Sequence, residues 1–198
     1  PMYLPGFVLL VVVAITAVLH GMKGSDVADA VRSSSKVLLG AGIVLVFTVP
    51  MVRVYINSDV NGAELLSMPL AMADWVANNV GQVWPFFAGW TGALGAFIAG
   101  SNTVSNLMFS AFQFGVAERL AMSTVMIVSL QAVGAAAGNM IAIHNVVAAS
   151  ATVGLLGKEG ATLRKTVLPA IYYLLVLGVL GLVAVHWIGV TDPLMGSG

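Results

Sequence analysis

Residues 84–117 read WPFFAGWTGALGAFIAGSNTVSNLMFSAFQFGVA, without one charged side chain and with a polar heptapeptide, GSNTVSN, at 100–106. A continuous helix of this length would extend about 50 Å, which is longer than a single crossing of a bilayer. Lipid offers no hydrogen-bond partners to unwound backbone, so a polar break must be buried in protein or line a cavity. The stretch therefore predicts two helices that fold back on each other as a re-entrant hairpin, with the heptapeptide at its tip.

The composition supports a membrane environment for the whole chain. Hydrophobic residues make up 59% of the sequence and charged residues 8%, with a mean hydropathy of +0.99, whereas soluble domains carry about 25% charged residues. This predicts an integral membrane protein. A net charge of zero gives no electrostatic case for binding nucleic acid. The lack of cysteine excludes disulfides and thiolate metal sites.

The rest of the sequence predicts an all-α polytopic membrane protein, with residues 1–198 in a single membrane domain. Segments of about 20 apolar residues are long enough to span a bilayer, and three such spans are expected at 3–19, 37–56 and 167–187. Residues 120–157 are uncharged but too long for one span, and polar residues near 138–145 interrupt them. We expect one discontinuous helix there.

Charge in the connecting segments predicts the orientation. Gly21–Lys36 and Gly157–Thr166 are short and basic, which places both in the cytoplasm by the positive-inside rule. Asn57–Gln82 is mildly acidic, and Trp75 and Trp84 are expected as anchors at the opposite membrane surface. Two segments on the same side of the membrane must be separated by an even number of crossings. The span 37–56 and the discontinuous helix 120–157 supply two crossings, and a hairpin that enters from outside adds none.

The hairpin tip offers the first candidate binding residues. Ser101, Asn102 and Thr103 precede a helix whose N-terminal end carries free N–H groups and a partial positive charge, which attract a carboxylate. The alternative is that Ser101 or Asn102 only caps this helix. Ser105 and Asn106 are further candidates, with hydrogen bonding between helices as their alternative.

A second polar break carries the other candidates, Asn139, His144 and Asn145. Gly134 and Gly138, four residues apart, indicate close helix packing. An intramembrane histidine is a candidate proton carrier because it titrates near neutral pH. A neutral, hydrogen-bonded structural role for His144 is equally compatible with the sequence.

Signatures of soluble enzymes are missing from the sequence: it contains no HExxH, GxSxG, GxGxxG or Walker pattern. No enzyme activity, cofactor or metal is therefore expected. Gln113 and Gln131 are expected to hydrogen-bond between helices, with a pocket wall as the alternative. Interrupted apolar segments are typical of the binding sites of secondary transporters. A channel, or a structural subunit of a membrane complex, is the alternative from another class.

Three stretches carry a resemblance to the bacterial L-lactate permease family. They are GSNTVSN at 100–106, GNMIAIHNVVAA at 138–149, and ATVGLLGKEG at 151–160 followed by LRKT at 163–166. Members of that family are much longer, so the chain resembles their carboxy-terminal part, with an amino-terminal part of the permease as its partner.

The resemblance implies uptake of L-lactate and related 2-hydroxy monocarboxylates such as glycolate, together with protons, across the bacterial inner membrane. A more distant resemblance to the ion-transporter superfamily implies half of an inverted-repeat secondary transporter, in which Ser-Asn-Thr motifs at hairpin tips hold the substrate carboxylate and the coupling ion. Ser101, Asn102 and Thr103 would then meet the carboxylate, Asn139 and Asn145 would face it, and His144 would carry the proton. A sodium-coupled carboxylate carrier is the alternative within transport.

Overall fold

The computed structural model of the chain describes residues 5–155 and 157–192. It divides into two compact units, Pro1–Val49 and Pro50–Gly198. The start of the first predicted span, at Tyr3, lies outside the described residues. Helix α2, Gly24–Ile56, contributes to both units.

The first unit contains α1, Pro5–Leu19, and most of α2. Helix α2 begins at Gly24 rather than near residue 37. The Asp26 carboxylate accepts a hydrogen bond from the Lys23 N–H at 3.1 Å, which satisfies one of the free donors at a helix start. The prediction of a connecting segment over 21–36 is therefore wrong for most of its length. Its charges mark a polar part of a helix.

The second unit is a bundle of helices. After the end of α2 come α3, Met68–Asn79; a 3₁₀ turn, Gly81–Val83; α4, Trp84–Ala99; α5, Asn102–Arg119; α6, Thr124–Gly138; α7, Ile143–Thr152; and α8, Glu159–Val183, which ends in a π-helical turn, Ala184–Ile188. Residues 5–155 and 157–192 contain no strand, which confirms the all-α prediction.

Helices α4 and α5 pack antiparallel as two arms joined at Gly100 and Ser101. Near the arm ends, the Trp84 indole donates to Gln113 at 2.8 Å. Near the tip, the Ser105 hydroxyl donates to the Gly92 carbonyl at 2.8 Å. The Trp84 ring stacks edge-on against Phe112, with ring centroids 5.4 Å apart.

Glycines bring α4 and α6 into backbone contact. A Cβ on Gly92 would lie 2.8 Å from the Ala135 nitrogen, and one on Gly138 would lie 2.7 Å from the Ala93 Cα. Residue numbers rise together along the two helices, so they run parallel. The glycine pattern at 134 and 138 therefore does mark close helix packing, as the sequence indicates.

Helix α8 packs antiparallel to α4. Leu174 shares a buried cluster with Ala93 and Ala137, and a Cβ on Gly178 would lie 2.7 Å from Phe86. With the π-helical turn, Glu159–Ile188 forms a 30-residue helix that is long and apolar enough to cross a membrane. It contains the predicted span 167–187.

In the described part of the chain, Glu159–Ile188 is long and apolar enough to cross a membrane by itself. The pair Thr124–Gly138 and Ile143–Ser150, bent by 44°, is long and apolar enough when taken together. The bend falls at the second polar break. The apolar helix Gly6–Leu19 is shorter than a span.

Three details differ from the sequence-based expectations. Residues 159–166, expected in a connecting segment, form the first two turns of α8, because Glu159 and the basic residues after it are compatible with a helix that leaves the membrane. Residues 68–79, also expected in a connection, form α3, which buries Ala73 and Val76. Trp84, expected as an interfacial anchor, is only 6% exposed.

Candidate functional site

The two polar breaks meet at one end of the α4–α6 pair. Helix α4 ends at Gly100, whose φ of 63° is left-handed, and α6 ends at Gly138, followed by Asn139. The Asn145 amide nitrogen lies 3.4 Å from each of three oxygens: the Gly100 carbonyl, the Asn139 carbonyl and the Asn139 side-chain oxygen. An amide has two N–H bonds, so these three long contacts are weak and open to competition from a ligand.

Four helix ends converge at this point. Helices α4 and α6 run parallel and direct their C-terminal carbonyls toward it. Helix α5 starts at Asn102 and runs back along α4, while α7 starts at Ile143 and continues beyond the break. The positive ends of α5 and α7 therefore approach the same level from opposite sides. Free N–H groups attract an anion, and free carbonyls attract a proton donor or a cation.

His144 lies directly over Gly100. A Cβ built on Gly100 would overlap the imidazole ring, with the Cε1 atom only 2.5 Å away and two other ring atoms closer still. The backbone is left-handed there, so Gly100 satisfies two requirements at once: it ends α4 and leaves room for the ring. Sequence reasoning missed Gly100 as a site residue, although its place before the Ser-Asn-Thr motif was a usable signal.

The tip residues divide into three environments. Ser101 is the N-cap of α5, with its hydroxyl accepting from the Val104 N–H at 3.3 Å. Asn106 donates through its amide to the Asn102 side-chain oxygen at 3.0 Å. Thr103 is exposed. Of the tip residues, Asn102 and Asn106 thus form a polar pair one helical turn apart.

Ser105 is bonded inside the bundle. Its hydroxyl donates to the Gly92 carbonyl and accepts from the Gln131 amide at 3.2 Å. The Gln131 oxygen in turn accepts from Gln113 at 3.0 Å. The expected hydrogen bonding between helices by Gln113 and Gln131 is present in the structure.

The opposite end of the bundle is held by Asp192. Its carboxylate accepts from the hydroxyls of Ser123 and Thr124 and from the N–H groups of Thr124 and Val125, at 2.8 Å and 3.0 Å for the two N–H groups. These donors, the Ser123 hydroxyl first, lower the pKa of Asp192 to about 2. Asp192 lies beyond the span that ends at Ile188 and caps α6 from 68 residues away, so no local sequence signal could reveal it.

Metal ligands are not clustered in the described part of the chain, where no three His, Cys, Asp or Glu residues lie close enough to share an ion. The polar groups at the breaks are amides, hydroxyls, one imidazole and helix ends. Such groups are suited to hydrogen bonding with small polar solutes.

A helical hairpin and a broken helix whose polar breaks meet inside an apolar bundle are typical of secondary membrane transporters. The profile of the L-lactate permease family matches residues 2–188, and the chain belongs to this family. A permease is a membrane transport protein rather than an enzyme. The resemblance read from the three sequence stretches is therefore confirmed.

Individual relatives agree with the family assignment. A Haemophilus influenzae protein is 33% identical over 173 residues, which cover 87% of this chain and 32% of that protein. The L-lactate permease of Escherichia coli K12 is 30% identical over 88% of this chain, and the glycolate permease GlcA of the same organism is 28% identical over 75%. The chain spans about a third of the length of the first two of these relatives. No solved structure matches it.

Proposed function

We propose that this chain forms half of the substrate site of a secondary transporter that imports L-lactate and related 2-hydroxy monocarboxylates, such as glycolate, with protons across the bacterial inner membrane. The remainder of such a permease would complete the site. The observation that carries the proposal is the Asn145 amide, which bridges the two helix breaks through Gly100 and Asn139.

The substrate carboxylate would lie between the N-terminal ends of α5 and α7. Both ends present N–H groups without helical partners, and Asn102 stands at the first position of α5. Desolvation of a carboxylate is costly unless hydrogen bonds or opposite charge replace its water, and here helix N–H groups, the Asn139 amide and the loosely held Asn145 amide supply donors. Thr103 would contribute its backbone N–H, since its side chain points outward.

His144 would carry the proton. Its ring lies against the carbonyl end of α4 at Gly100 and is exposed to the space that a substrate would occupy. Lactate and one proton together carry no net charge, so their joint movement avoids the cost of moving a bare anion through the membrane.

The charges of the bundle are consistent with a tip reached from the cytoplasmic side. Because α8 runs antiparallel to α4, its basic start, with Arg164 and Lys165, lies at the tip end, while Asp74 and Arg119 form a 2.5 Å ion pair at the other end. Helix α4 has 16 residues and rises about 24 Å in a hydrocarbon layer about 30 Å thick. A hairpin that enters from outside would then place its tip about 6 Å from the cytoplasmic edge of this layer.

Sodium coupling is a second candidate, favoured by one observation. The side-chain oxygen of Asn106 is buried and accepts no hydrogen bond from the described residues. Amide oxygens and the carbonyl ends of α4 and α6 are suitable ligands for a hard cation. Lactate uptake driven separately by a proton gradient and by a sodium gradient would decide between the two ions.

The experiment that tests the site uses asparagine-to-alanine variants. In cells that express the protein containing this chain, Asn102→Ala and Asn139→Ala should each reduce L-lactate uptake at least about tenfold, since a lost hydrogen bond to a charged group weakens binding by roughly this much. Asn78→Ala, the same change at an exposed position of α3, is the matched control.

Membrane abundance is measured for every variant. Normal uptake by both site variants would refute the assigned site. Uptake that does not saturate with lactate concentration and that is accompanied by ionic current would indicate a channel instead.

A further inference from the structure

A chain of hydrogen bonds with a single direction runs through the interior of the α4–α5–α6 bundle. The Trp84 indole donates to the Gln113 oxygen at 2.8 Å, and Gln113 donates to the Gln131 oxygen at 3.0 Å. Gln131 donates to the Ser105 hydroxyl at 3.2 Å, and Ser105 donates to the Gly92 carbonyl at 2.8 Å. In each of these four hydrogen bonds a donor group faces an acceptor group, so all four can form at the same time.

The three polar side chains at the centre of this hydrogen-bond chain are completely enclosed. Ser105, Gln113 and Gln131 each have 0% of their surface exposed. A second bond from Gln113 goes to the Ala88 carbonyl at 3.2 Å. A buried amide without partners is strongly unfavourable, so α5 can sit against α4 and α6 in only the one rotation that satisfies all of these groups.

The rotation of α5 determines where its tip residues point. Ser105 follows Asn102 by three residues, so the two lie on the same side of the helix. A rotation of α5 by one residue, about 100°, would carry Asn102 around the helix axis by the same angle. Ser105 thus connects the buried hydrogen-bond chain to the first turn of α5, which carries Asn102.

We propose that Gln113 and Gln131 are positioning residues of the substrate site: through Ser105 they fix the rotation of α5 that presents Asn102 to the substrate. This rests on the proposed function, since it assigns the network a role in lactate binding. It predicts that disruption of the network weakens binding even when the protein remains folded and abundant.

The test compares two changes at one position. Gln131→Leu removes donor and acceptor, and should raise the KM for L-lactate at least about tenfold, because displacements of about 1 Å have effects of this size or more. Gln131→Glu keeps the shape. Its protonated form can donate to Ser105 and accept from Gln113, whereas its carboxylate cannot donate. Its KM, divided by that of the unchanged protein at each pH, should fall toward one as the pH is lowered.

The matched control is Gln82→Leu, the same change at a glutamine whose amide donates to the Leu120 carbonyl at 3.2 Å near the other end of the bundle. It should leave KM within about twofold. A purely structural role would lower the maximal rate in proportion to membrane abundance and leave KM unchanged in both Gln131 variants, and this result would overturn the proposal.

Should Gln131→Leu fail to reach the membrane, the pH dependence of Gln131→Glu decides alone: a KM ratio that does not change with pH and stays above one refutes the positioning role. Absence of lactate uptake by the unchanged protein is a separate outcome, which refutes the proposed function itself.

Discussion

Gly100→Ala offers the sharpest test of the geometry of the site. The change has two effects that can be calculated separately. First, an alanine must adopt the φ of 63° found at this position, which costs about 1–2 kcal/mol. Second, its Cβ would stand 2.5 Å from Cε1 of His144, against about 3.5 Å for an ordinary carbon contact. Two other ring atoms of His144 lie closer still, so the ring must move by about 2 Å or more.

The two effects predict different measurements. His144 is exposed, so its ring can turn away at little further cost, and the midpoint of thermal unfolding should fall by only a few degrees. Uptake of L-lactate depends on the position of the ring and should fall at least about tenfold per folded molecule.

Gly81→Ala is the matched control for this prediction. Gly81 has a φ of 62°, and a Cβ there would meet nothing within 4 Å. The two variants share the backbone cost, and the displacement of His144 is specific to the first. Both should unfold at similar temperatures, and Gly81→Ala should keep its uptake within about twofold. If Gly100→Ala transports lactate as well as Gly81→Ala does, the contact between Gly100 and His144 has no part in transport, and the reasoning from this geometry fails.

Two further predictions concern protons. His144→Gln keeps a polar side chain but cannot carry a proton, so lactate uptake should lose its dependence on the pH gradient; normal coupling would leave His144 a structural role. Asp192→Asn weakens the cap on α6 and should lower the unfolding midpoint of the purified protein by about 2–4 °C at pH 7. Because the folded pKa of Asp192 is lowered to about 2 from 3.8, its stabilisation is complete above pH 5 and disappears as the pH falls through this interval. The part of the difference that comes from the ionised carboxylate should therefore shrink as the pH falls from about 5 and disappear near pH 1, below both pKa values. A difference that is constant with pH would contradict the assigned hydrogen bonds.

The positions of the two helix breaks could be predicted because their signals are local. Polar residues at 100–106 and 138–145 interrupt apolar runs, and the structure ends α4 at Ala99 and α6 at Gly138, where these two stretches begin. Ser101 is a favoured cap residue, and α5 starts directly after it. Short windows of sequence carry all of this information.

Helix ends near charged residues were harder to predict. Hydropathy reports where a segment leaves the apolar layer, but a helix continues as long as its backbone bonds are satisfied. For this reason α8 starts at Glu159, eight residues before the apolar run begins. Helix α3 was missed because its 12 residues are too few and too mixed to resemble a span.

By itself, the sequence determined the helical class, the membrane character and the family of this protein, because composition, hydrophobic runs and short motifs are properties of consecutive residues. Only the tertiary structure decided which of the polar residues meet. Glycine contacts set α4 parallel to α6, and this places Gly100 beside Asn145 while Ser105 bonds to Gln131 inside the bundle. Such pairings depend on how the helices pack, since the partners lie 45 and 26 residues apart along the chain.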